Sequence, residues 1–70
     1  MTNKEFKNAA HSLEQQFKQN PGMCKRGFET FLANNAGFSP KITQIFVKRY
    51  LKEGQDENLK AALRREFSKT

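Results

Sequence analysis

Seventy residues with a net charge of +6 and one cysteine make a single helical domain, 1–70, that has no internal disulfide and relies on packed apolar side chains for stability. The lone thiol fits a reducing, cytoplasmic setting, and the cationic excess favours polyanionic partners, either nucleic acid or an acidic protein surface. No apolar run approaches the ~20 residues that cross a bilayer, and the polar start Met1-Thr2-Asn3-Lys4-Glu5 contains no apolar signal core, so neither a membrane anchor nor a secretory leader is expected.

Thr2 followed by Glu5 is a capping box, and Phe6, Ala9 or Ala10, Leu13 and Phe17 recur at helical spacing behind it. The first helix is therefore predicted from Asn3 to Lys18, ended by Gln19-Asn20-Pro21-Gly22. A second helix is predicted from Met23 to Ala36, with Phe28, Phe31, Leu32 and Ala36 facing inward and Gly37 supplying a left-handed end. Gly27 within it either admits a close neighbour or delays the helix start. Ser39-Pro40, a hydroxyl N-cap before a first-turn proline, opens a third helix over about 40–53, ended by Gly54. Asp56 caps a fourth, whose apolar stripe is Leu59, Ala62, Leu63 and Phe67; Ser68-Lys69-Thr70 is expected to fray. The fold class is all-α: a compact bundle of four short helices, in which helices two and three are compatible with a helix-turn-helix unit.

Charge is unevenly placed. Lys4, Lys7, His11, Gln15 and Lys18 share one face of helix one, the pattern of an ordinary solvated surface. Segment 39–54 carries four basic residues against one acid, Glu53. On helix three the apolar residues Ile42, Ile45, Phe46, Val47, Tyr50 and Leu51 cover most of the circumference. They leave a narrow polar strip of Lys41, Gln44, Lys48 and Lys52, with Thr43 elsewhere and Arg49 among apolar neighbours. Lysines neutralise phosphates, and glutamine can make paired hydrogen bonds to adenine.

The short joint Gly37-Phe38-Ser39 between two helices resembles the broad helix-turn-helix pattern. Ala33 lies four residues before Gly37, Phe38 follows the glycine, and Phe46 falls where that pattern places a buried apolar residue. The resemblance covers about a third of the chain and names no particular family. The pattern's other buried position falls on Thr43, with Ile42 and Ile45 one residue early, which implies a tighter turn, a different crossing angle or an accidental likeness. The resemblance implies that Ser39, Lys41, Gln44 and Lys48 face the major groove, that Lys52 meets phosphate, and that Lys25 and Arg26 grip the backbone. A palindromic site and a homodimer would accompany it.

Catalytic groups do not cluster in the chain. His11 and Cys24 fall on different helices, no third group orients them, and no His, Cys and carboxylate spacing suggests a metal. No cofactor, metal or small-molecule substrate is expected. Two functions remain: a basic, cytoplasmic transcription regulator that binds double-stranded DNA, or a non-catalytic adaptor or inhibitor that docks on a larger protein through Phe38, Arg49 and Tyr50. RNA is less favoured, because no aromatic stacking platform accompanies the lysines. On the DNA reading, Lys48 and Gln44 should matter more than Lys69.

Overall fold

The computed structural model describes residues 1–68; Lys69 and Thr70 lie outside them. Helix α1 spans Asn3–Gln19, one residue beyond expectation. Its capping box is closed from both sides: the Glu5 N–H donates to Thr2 Oγ1 at 3.1 Å, and the Thr2 N–H donates to Glu5 Oε1 at 2.7 Å. Two of the otherwise orphaned amides at the helix start are thereby satisfied.

Helix α2 spans Lys25–Ala36, starting two residues later than predicted. Gly27 consequently sits in the first turn, and a Cβ there would meet nothing nearer than 3.9 Å. Its role is at the helix start and not in close helix packing. Cys24 occupies the N-cap position without a side-chain cap; instead the Lys25 N–H donates 3.2 Å to Glu66 Oε1, a carboxylate from the other end of the chain. Gly37 ends the helix at φ 68°, as expected, and its N–H bonds the Ala33 carbonyl at 3.2 Å.

Helix α3 spans Pro40–Glu53, with Ser39 Oγ accepting from the Ile42 N–H at 3.2 Å. Helix α4 spans Glu57–Phe67; Asp56 Oδ1 accepts from the amides of Asn58 and Leu59 at 3.0 and 3.1 Å. At the end predicted to fray, the Ser68 N–H still bonds the Arg64 carbonyl at 3.1 Å. These are four helices, without strands, among the described residues.

Helix α1 packs on α2, and α3 on α4, with α2 also touching α3 and α4. Two aromatic groups hold the interior. Phe46 on α3 gathers Phe6, Phe38 and Tyr50 at ring separations of 5.4, 5.8 and 5.9 Å, while Phe28 on α2 joins Phe17 and Phe67 at 6.3 and 6.1 Å. Truncating a fully buried Phe of this kind costs about 3–5 kcal/mol, so Phe28 and Phe46 fix the arrangement of all four helices.

One sequence expectation fails here. Helix α3 buries a single arc, Thr43, Phe46, Val47 and Tyr50, and not most of its girth. Those four recur at i, i+3, i+4 and i+7, which places Ile45 on the opposite side, where it is 47% exposed. Ile42 and Leu51 form half-buried edges.

Candidate nucleic-acid interface

The outward face of α3 carries Lys41, Gln44, Ile45, Lys48 and Lys52, all exposed. From Lys41 to Lys52 this face runs about 16 Å, at ~1.5 Å of rise per residue. Among the described residues the ion pairs are Arg49–Glu53 at 3.2 Å, Lys60–Glu57 at 3.0 Å and Arg65–Glu66 at 3.0 Å. None involves a lysine of this face. Four acids make structural hydrogen bonds. Glu5 and Asp56 cap helices, Glu14 accepts from the Tyr50 hydroxyl at 2.5 Å, and Glu66 serves the start of α2. Lys41, Lys48 and Lys52 thus form a basic ridge on α3 without an ion pair among the described residues.

Lys25 belongs to the same neighbourhood. It is half-buried, with its ammonium 5.7 Å from the Phe67 ring centroid. With Gln44 and Lys48 it borders a groove of about 330 Å³ between α3 and α4. Val47, Leu51, Leu63 and Phe67 give that groove an apolar floor. Arg26 is exposed but lines a separate hollow with Gln16, Asn20 and Asn34, sharing no residue with the groove. Lys25 and Arg26, expected to act together, therefore point to different surfaces. Ser39 is exposed; its oxygen is engaged as the α3 cap, and its hydroxyl proton can still be donated.

The three residues expected to anchor a protein partner are differently placed. Phe38 is buried at 6% exposure against Phe46. Tyr50 is fully buried; its hydroxyl donates to Glu14 and its oxygen accepts from the Asp56 N–H at 3.3 Å. Burial, and then the Glu14 hydrogen bond, hold the phenol pKa well above its usual range. Arg49 is half-buried, stacked 4.2 Å over the Phe6 ring and bonded to Glu53 and to Asn3 Oδ1 at 2.7 Å. Each is an internal tie: Phe38 packs the joint before α3 against Phe46, while Arg49 and Tyr50 join α3 to α1. Phe38, Arg49 and Tyr50 are therefore not the surface anchors anticipated.

Ile45 is the residue that sequence reasoning missed. The signal lay in Thr43: taking the helix-turn-helix pattern's buried position at face value puts Thr43 inside and Ile45 outside. Thr43 is fully buried, and its hydroxyl has no hydrogen-bond partner.

Elsewhere, Lys4, Lys7, His11, Gln15 and Lys18 form the exposed face expected on α1. His11 and Cys24 line different hollows. Among the described residues no group of three His, Cys, Asp or Glu side chains is placed to hold a metal, and no helix is long and apolar enough to cross a membrane. Comparisons with protein-family models, curated proteins and solved structures returned no match to this chain, which leaves its own surface chemistry as the guide to function.

Proposed function

We propose that this chain is a small, non-catalytic, cytoplasmic regulator that binds double-stranded DNA through the outward face of α3. The observation that carries the reading is the line of Lys41, Lys48 and Lys52 along one exposed face, none of them in an ion pair among the described residues. A ridge one helix wide enters a major groove about 12 Å across. Ser39, Lys41 and Gln44, near the α3 N-terminus, then approach base edges, while Lys48, Lys52 and Lys25 meet phosphates. The positive end of the helix dipole at Ser39 adds to phosphate attraction. Burial of Thr43 and Phe46 matches the positions that the helix-turn-helix pattern reserves for inward side chains. Arg26 contributes to the long-range field and not to the α3 contact. A homodimer on a palindromic site supplies the contact area that one such module lacks.

The test is duplex affinity measured at low salt for the wild type and for Lys48→Gln, Gln44→Ala and Lys18→Gln. The first two should weaken binding several-fold, while the third, on the solvated face of α1, should hardly change it. Weak binding that ignores all three substitutions would sink the reading.

A second reading is supported by the groove itself. Its apolar floor and its border of Lys25 and Lys48 suit an acidic amphipathic helix of a larger protein. Recovery of one stoichiometric partner after nuclease treatment, lost on Leu51→Asp, would favour it over DNA.

A further inference from the structure

Ile45 stands out on a face otherwise made of lysine and glutamine. It is 47% exposed, and the one other large apolar side chain left exposed among the described residues is Met1, at the chain start. It lies one residue from Gln44, three from Lys48 and four from Lys41, all exposed. Lys41, Ile45 and Lys52 recur at i, i+4 and i+11, so the isoleucine lies beside these two lysines, on the flank of the ridge away from Gln44.

In the major groove thymine is distinguished from every other unmodified base by its 5-methyl group, the apolar feature there, and adenine presents N7 and N6–H for a paired amide contact. Gln44 and Ile45, adjacent and both outward, supply the two matching chemistries. Guanine, whose O6 and N7 both accept, gives the Gln44 amide no such pairing, and cytosine offers Ile45 no methyl group.

From this we infer that Ile45 is a specificity-determining residue that buries its side chain against a thymine methyl, while Gln44 reads adenine in the same or the next base pair. The preferred target is thus duplex DNA containing A·T steps. The inference rests on the DNA reading above and adds to it the class of sequence recognised.

The experiment uses two duplexes of about 20 base pairs, roughly two helical turns: alternating adenine–thymine and alternating adenine–uracil. They differ by the methyl group alone. Affinities are measured at one low salt concentration for the full chain and for Ile45→Ala, a substitution at an exposed helical site where alanine favours the helix. The wild type should bind the uracil duplex at least about fourfold more weakly, the factor that corresponds to ~0.8 kcal/mol for one buried methylene-sized group. Ile45→Ala should bind both duplexes alike, at the weaker level. Equal wild-type affinity for the two duplexes overturns the inference and leaves the DNA reading standing. So does an equal loss in both proteins, which would mark an effect of duplex shape and not of the methyl contact. Failure to bind either duplex sinks the DNA reading itself, and this inference with it.

Discussion

A glycine is demanded at position 54 by space and not by backbone angle. Its φ is −67°, open to any residue, yet a Cβ built there would stand 2.6 Å or closer to three carbons of the Tyr50 ring. That ring cannot swing away, because its hydroxyl is held by Glu14 and by the Asp56 amide. Gly54→Ala should therefore destabilise the fold by about 1–3 kcal/mol, the usual range for overpacking a filled core, read as a lower urea midpoint. Tyr50 also makes stability depend on alkaline pH. Its folded pKa is raised, so the stabilisation is complete below the unfolded value of about 10 and is lost as pH climbs towards the folded one. The chain has one tyrosine and no tryptophan, so phenolate absorbance reports this group alone. It should rise only as the protein unfolds, and Tyr50→Phe should flatten the alkaline decline in stability that the wild type shows.

Among the elements, α2 differs from the other three in how it starts. Thr2, Ser39 and Asp56 cap their helices from the preceding residue, whereas Cys24 caps nothing and Glu66 reaches across from α4. Cys24→Ser should add a local cap and stabilise by about 1 kcal/mol. Glu66→Ala should be costly in both backgrounds, because Ser at 24 accepts from the amides of Arg26 or Gly27 and not from that of Lys25, an additivity that a double-mutant cycle in urea measures directly. This contrast also explains which boundaries were legible in the sequence. Local signals such as Thr2 with Glu5, Ser39-Pro40, Gly37 and Asp56 act within a few residues, and they marked α1, α3 and α4 closely. The start of α2 depends on a partner 41 positions away, which no window of sequence contains. The orientation of α3 was hidden for a related reason. It has apolar residues on several sides, and contacts with Phe6 and Phe38 select the arc that includes polar Thr43 over the one that includes Ile45. Lys41, Gln44, Lys48 and Lys52 were legible as a strip because they share one face. The isoleucine among them was not.

At the scale of the whole molecule, the seven acids and thirteen cations are divided by task. Carboxylates close caps, hold Tyr50 and pair with Arg49, Lys60 and Arg65, so the exposed lysines of α3, like those of α1, have no ion pair among the described residues. Lys48 and Lys52 are four residues apart on the outward face of α3, a like-charge spacing that costs a helix about 0.2–0.5 kcal/mol. Two variants with the same net charge separate contact by that face from a general effect of charge: Lys41→Gln with Lys48→Gln and Lys52→Gln on α3, and Lys4→Gln with Lys7→Gln and Lys18→Gln on α1. If the α3 lysines each neutralise a phosphate, the first variant should flatten the plot of log affinity against log salt by about 0.9 per lysine, roughly 2.7 in all. The second variant should leave that slope nearly unchanged, because counterions are released by contact and not by net charge at a distance. Thermal melting of the α3 variant should stay level or rise, since no ion pair is lost and a repulsion is relieved. Equal slopes for the two variants would mean that the ridge is ordinary solvated surface, whereas lower slope with undiminished stability identifies α3 as the contact.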